Sequence, residues 1–165
     1  MYKCDLCDKM YKSLRGMYQH YYKAHNLSCK IYYDNKNFDS APELCYYIWL
    51  KDHNIEFEYQ PNKKFIYYYD NKERNYFADF KVGEEYQEIK GLQFFENKNP
   101  NCKMICPWQS KNDTPEKIVW RNGLYEAKHQ CMLNNNIKII TDYSEYENYI
   151  IKKYGKDYIS TFRKK

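Results

Sequence analysis

The chain has 165 residues and a mass of 20.4 kDa, enough for one mid-sized domain with a small module and too short for two full domains. Hydrophobic residues make up 43% and charged residues 30%, which excludes a disordered composition. No apolar run approaches the ~20 residues of a membrane span and no apolar leader opens the chain, so the expected location is the cytoplasm, with no membrane partner. The net charge of +5 is uneven: residues 1–38 carry seven Lys/Arg against three Asp, residues 148–165 carry six against one, and the middle holds fourteen basic against eighteen acidic residues. Basic ends around a slightly acidic centre suit a polyanion ligand met by an interior that also needs carboxylates. The 21 Tyr, many Asn and excess of Lys over Arg read as compositional bias rather than as a Tyr-based function.

In chain order, the first element is a metal-ligand pattern. Cys4 and Cys7 stand two residues apart, twelve residues follow, and His20 and His25 stand four apart. Two thiolates on a tight hairpin and two imidazoles on one helix face can converge on one tetrahedral zinc ion. With Tyr2, Tyr11 and Met17 as a small apolar core, residues 1–28 resemble a C2H2 zinc finger. About 25 residues cannot bury enough surface to fold alone, so zinc would supply folding energy. In fingers that read DNA, positions near the helix start face base edges. By the resemblance these are Ser13, Arg15, Gly16 and Gln19, with Arg15 suited to guanine and Gln19 to adenine. One finger covers about three base pairs, so its expected task is to help dock a larger domain on DNA; protein binding is the alternative.

Residues 29–39 read as a linker with a short strand at Ile31-Tyr32-Tyr33. Ser40-Ala41-Pro42-Glu43 reads as a capping box opening a helix that ends near Asn54. Strands are expected over 55–59, 65–69, 76–82 and 86–90, as one meander turned at Pro61-Asn62 and at Gly83. A helix over 124–134, a strand over 137–141, and a helix opened by a second capping box at Ser144-Glu145-Tyr146-Glu147 complete an α/β layout over 40–165. No internal repeat is read, and residues 92–120 receive no assignment.

Asp79 sits inside Phe77-Ala78-Asp79-Phe80, an ionisable residue in an apolar strand, and Glu88-Ile89-Lys90-Gly91 follows nine residues later. Strand alternation puts Glu88 and Lys90 on one face, and a short turn makes Asp79 their neighbour. Two carboxylates and a Lys at one point suit a divalent cation beside an activated water better than they suit a core; a structural ion pair on a half-exposed sheet is the alternative, and Phe77 and Tyr86 suggest cover that argues against it.

Asp79 followed by Glu88-x-Lys90, behind a helix with an early Glu and ahead of helix, strand and helix, resembles the PD-(D/E)xK nuclease superfamily, with Ala78 in place of the motif's Pro. The resemblance covers roughly residues 40–152 and is similar to phage and mobile-element nucleases with Glu-x-Lys-Gly in the core. It implies a restriction-endonuclease-like αβββαβ core and a magnesium-dependent DNA endonuclease acting in a bacterial or phage-infected cell. Asp79 and Glu88 would bind magnesium and Lys90 would orient or help deprotonate the attacking water. Glu43 would be a further carboxylate, unless its capping role explains it alone. Lys128 and Gln130 would either approach a phosphate or form a solvated face. Two sites would be needed for a symmetric cut, so a homodimer is one assembly this reading allows. A nuclease for branched DNA or RNA, or a non-catalytic adaptor, is the alternative function.

Three further readings are structural. Cys102, Cys106, His129 and Cys131 have zinc-ligand residue types at irregular spacing and are read as ordinary Cys and His. His53 is read as a helix C-terminal partner, and Trp108 and Trp120 as core or loop anchors.

Overall fold

The computed structural model describes residues 1–4, 7–13, 16–17, 19–20, 24 and 31–162. The N-terminal strands β1 (Tyr2–Lys3) and β2 (Met10–Tyr11) pair antiparallel, with Tyr2 opposite Tyr11. The segment expected as a linker holds a hairpin, β3 (Ile31–Tyr33) and β4 (Lys36–Phe38), whose Ile31 and Phe38 are buried in the core. Asp34 and Asn35 both have positive φ, 52° and 58°, as a two-residue hairpin turn of the right twist requires.

Helix α1 (Ala41–Asp52) starts as expected: Ser40 Oγ accepts the Glu43 N–H at 3.3 Å, with Pro42 in the first turn. It buries Leu44, Cys45, Tyr46, Tyr47, Ile48 and Leu50. Its end is closed by Asn54 at φ 54°, while the Ile55 N–H reaches back to Leu50 O at 3.0 Å, satisfying a carbonyl that the helix itself leaves open.

The expected meander divides into two units. β5 (Phe57–Tyr59), β8 (Phe80–Val82), β9 (Glu85–Ile89) and β10 (Lys138–Ile140) form a sheet in the order β10-β9-β8-β5. β5, β8 and β9 are antiparallel neighbours, whereas β10 runs parallel to β9. Among the described residues, β6 (Phe65–Tyr69) and β7 (Lys72–Tyr76) pair only with each other, as a ribbon inserted in the chain between β5 and β8. The strand expected over 76–82 is therefore broken: Tyr76 ends the ribbon, Phe77–Asp79 crosses to the sheet, and pairing resumes at Phe80.

A parallel step from β9 to β10 needs a crossover, and helix α2 (Pro115–Asn134) lies between them in the chain. It is nine residues longer at its start than the expected 124–134, because Thr114 caps it and Pro115 opens it. Helix α3 (Ser144–Tyr154) spans the expected range, but its capping box does not form. Ser144 lies inside the helix, and its N–H and hydroxyl both donate to Asp142 Oδ1 at 3.0 and 2.7 Å. A further helix, α4 (Tyr158–Phe162), buries Tyr158 and sets Phe162 edge-on to Tyr33 at 5.3 Å.

Apolar side chains cluster on both faces of the sheet. Phe80, Ile89 and Ile140 pack with α1, α3 and α4; Phe65, Tyr76, Ala78, Phe95, Met104 and Met132 form the second cluster with α2 and the ribbon. The fold is α/β; Glu88 lies within β9, Asp79 just before β8, and Glu43 in the first turn of α1.

Candidate active site and metal centre

The β8–β9 pairing sets Phe80 opposite Gln87 and ends there. The Asp79 N–H donates to Gln87 O at 3.1 Å, so Asp79 and Phe80 both face Gln87 and the pairing slips by one residue here, as at a bulge. Its Oδ2 accepts the Ile89 N–H at 2.8 Å, which fixes the carboxylate against β9. Alternation along β9 is as expected. Gln87 turns toward α1 and accepts the Tyr46 hydroxyl at 2.6 Å, while Glu88 turns to the other face.

Glu88 is 1% exposed, and both its oxygens have partners. Oε1 meets Lys90 Nζ at 2.7 Å and Lys128 Nζ at 3.3 Å, and Oε2 accepts the Tyr76 hydroxyl at 2.7 Å. An ionised carboxylate has about four lone-pair directions, so three donors leave room for one more partner. Lys128 therefore belongs to the site: its ammonium also lies 4.7 Å from the centre of the Tyr76 ring, a cation–π contact. Gln130 instead donates to Glu126 at 2.8 Å on the exposed face of α2. Lys90 Nζ lies 5.2 Å from the centre of the Phe94 ring. Glu43, from the first turn of α1, is buried; Oε1 accepts the Ser40 hydroxyl at 2.7 Å and Oε2 the Tyr59 hydroxyl at 3.4 Å.

These neighbours push the carboxyls apart. Burial raises the Glu88 pKa, but Lys128, Lys90 and Tyr76 outweigh it and hold the carboxyl below its usual range. Asp79 is pushed well above its usual range by burial and by the charges of Glu88 and Glu43, against Lys90 and the Ile89 amide. Glu43 is raised by burial and by Asp39 and Glu88, with the Ser40 hydroxyl and Lys90 opposing. Burial lowers the Lys90 pKa, yet Glu88, Asp79 and Glu43 together raise it, so its ammonium stays charged.

The second site is in the N-terminal segment expected to form a finger. The Cys4 N–H donates to Lys9 O at 2.9 Å and the Lys9 N–H to Cys7 O at 2.7 Å, a turn that aims both thiols inward. Cys7 Sγ lies 3.1 Å from His20 Nε2, and the His20 ring stacks on Tyr11 at 4.9 Å. The ligand atoms of Cys4, Cys7 and His20 all lie within 4.8 Å of one another. Two thiolates and an imidazole form a donor set suited to zinc. Among the described residues, Asp79, Glu88 and Glu43 form no group of three that close, so the expected magnesium set lacks the convergence of the finger. His25 and Arg15 lie outside the described residues. Ser13 Oγ accepts the Gly16 N–H at 3.1 Å, Gln19 is exposed, and Tyr2, expected in the small core, is 44% exposed.

Cys102, Cys106, His129 and Cys131 form no such cluster: Cys106 Sγ lies 3.4 Å from Trp108 O, Cys131 Sγ 3.8 Å from Ile66 O and His129 Nδ1 3.5 Å from Glu126. His53 caps α1, its Nδ1 2.7 Å from Trp49 O. Trp120 is the expected loop anchor, donating to Asp70 at 3.1 Å and lying beside Tyr69. Phe77, expected as cover, is 48% exposed; Tyr76 and Ala78 provide that cover instead. Sequence reasoning placed Tyr76 in a strand but missed it as a partner of Glu88, since it ends the ribbon and Glu88 lies on the sheet. No helix among the described residues is long and apolar enough to cross a membrane. No protein family, curated protein or solved structure matches the chain.

Proposed function

We propose that the chain is a metal-dependent DNA endonuclease of the PD-(D/E)xK kind, with its finger aiding docking on DNA. One observation carries this reading: Asp79, Glu88 and Glu43 share a buried electrostatic neighbourhood with Lys90, and Asp79 is left poorly compensated. Burial together with two neighbouring carboxylates opposes ionisation of Asp79, and a divalent cation would relieve that repulsion. The element order α1, β5, β8, β9, α2, β10 supports the same reading, being the αβββαβ order that the motif implies.

Asp79 and the remaining lone pair of Glu88 would hold magnesium, with Glu43 as a further carboxylate. When bound, the ion would polarise the phosphoryl oxygen and make water acidic enough to attack. Lys90, kept protonated by its neighbours, donates hydrogen bonds to the water and phosphate rather than accepting a proton. Lys128 and Tyr76 hold Glu88 ionised and in place. Water oxygen would bond to phosphorus in line as the bond from phosphorus to O3′ breaks; the water's proton would pass to solvent and O3′ would take one from solvent, leaving a 5′-phosphate and a 3′-hydroxyl.

Asp79→Ala and Lys90→Ala test these roles. Both should abolish cleavage and keep DNA affinity; the Asp79 variant should also lose magnesium binding, whereas the Lys90 variant should retain it. A Lys90→Ala protein cutting at near the original rate would overturn the assignment. A second reading, a non-catalytic zinc-finger adaptor, is favoured by the fact that both Glu88 oxygens have partners without any metal. It expects DNA or protein binding with no cleavage at any magnesium concentration.

A further inference from the structure

The segment 92–113, which no sequence motif explains, builds a wall beside Lys90. Phe94, in the short 3-10 turn Leu92–Phe94, contacts the Lys90 ammonium and stacks on Tyr125 of α2 with ring centres 6.0 Å apart. Trp108 stands edge-on to Phe94 at 6.2 Å, and this Trp is 64% exposed. A large ring so exposed is usually mobile, but here the backbone beneath it is pinned. Arg121 Nη1 donates to Trp108 O at 3.0 Å, and the same guanidinium grips Asp113 through two bonds of 2.7 and 2.9 Å. Two residues earlier, the Cys106 N–H donates to Asn122 Oδ1 at 3.0 Å.

A fixed loop therefore holds an unburied indole one ring away from the amine placed in the active site. Core packing does not explain this, since the indole itself is mostly in water. A flat aromatic face beside an ammonium matches the two parts of a nucleotide, its base and its phosphate. A base paired inside a duplex has both faces stacked already, so only an unpaired base offers a free face.

Building on the nuclease reading, we propose that Trp108 is a stacking platform for an unpaired DNA base next to the scissile phosphate, so that the preferred substrate is single-stranded or locally unpaired DNA. Phe94 and Tyr125 back the platform, and Arg121 with Asp113 keeps it rigid.

The test measures binding apart from cleavage. The full-length zinc-loaded protein, without magnesium, is titrated against a 12-nucleotide single strand carrying 2-aminopurine and against the same sequence as a blunt duplex. Trp108→Ala should weaken single-strand binding about ten-fold, in the range found for loss of one base-stacking contact. It should also abolish quenching of the probe, while duplex affinity changes less than two-fold. Trp108→Phe should restore most of the quenching, and unchanged melting of both variants excludes a folding defect. Equal single-strand affinity for the original and Ala proteins would overturn the proposal, as would an equal loss on the duplex or no strand binding at all. With magnesium added, absence of cleavage on every DNA alongside a Trp108-dependent strand affinity would reject the nuclease reading and leave the platform standing.

Discussion

Glu88 is the residue on which the site depends. It is buried, ionised and shared by two ammoniums and a phenol, so neutralising it leaves two partly buried ammoniums without their nearest counter-charge. Glu88→Gln should therefore cost about 3–5 kcal/mol, measured by urea denaturation, because breaking a buried ion pair from one side leaves an uncompensated charge. Asp79 behaves in the opposite way. Its carboxyl is raised in the folded state, so its contribution to stability is complete below the ordinary Asp range and is lost as pH rises through the raised folded value. Asp79→Asn keeps an oxygen for the Ile89 amide and removes that loss. In magnesium-free solution its melting temperature should exceed that of the original protein at pH 8, with the gap narrowing toward pH 5. A gap that widens on acidification would contradict the electrostatic account. At this scale the sequence placed Glu88 and Lys90 on one face, because period-two alternation is a local rule, whereas Asp79 meets β9 through the Ile89 amide at a slip in the pairing. Tyr76 and Lys128 were not legible as partners of Glu88, since a ribbon and a helix forty residues away meet there only through packing.

Among the elements, the inserted ribbon depends on one glycine. A Cβ on Gly123 of α2 would stand 2.3 Å from the Tyr69 hydroxyl, whose bond to Trp120 O at 2.8 Å fastens the ribbon to the helix. Ala is normally favoured over Gly inside a helix by about 1 kcal/mol, so Gly123→Ala should stabilise the chain if space were free. We expect instead a loss of about 1–2 kcal/mol by denaturant titration, as Tyr69 gives up its hydrogen bond and packing. A gain in stability would show that the ribbon tolerates displacement. The ribbon was also the element least readable in the sequence. Tyr-Tyr-Asp-Asn-Lys occurs at both 32–36 and 68–72, and in both places Asp and Asn adopt positive φ and turn a two-residue hairpin. That repeated turn was the available signal that 65–69 and 72–76 pair with each other rather than extend the sheet. The start of α2 was signalled in the same way by Asp113-Thr114-Pro115-Glu116, whereas Ser144 misled because Asp142 stands ready to accept its hydroxyl.

For the whole molecule, the proposed finger and the carboxylate site make separable demands. Elemental analysis should find zinc bound to the original protein and lost from Cys4→Ser, whose DNA affinity falls while the main melting transition stays in place. Native protein without zinc would remove the finger from the account. The basic C-terminal segment is less independent than its charge suggests, because Tyr158 is buried and donates to Glu147 at 3.2 Å. Deleting 155–165 should therefore lower the melting temperature as well as flatten the salt dependence of DNA binding. The most direct measurement of the central claim is conversion of supercoiled plasmid by the full-length protein, with and without millimolar magnesium, beside Asp79→Asn. The account predicts nicked or linear DNA only for the original protein and only with magnesium. Intact plasmid under every condition, or equal cutting by Asp79→Asn, would contradict it.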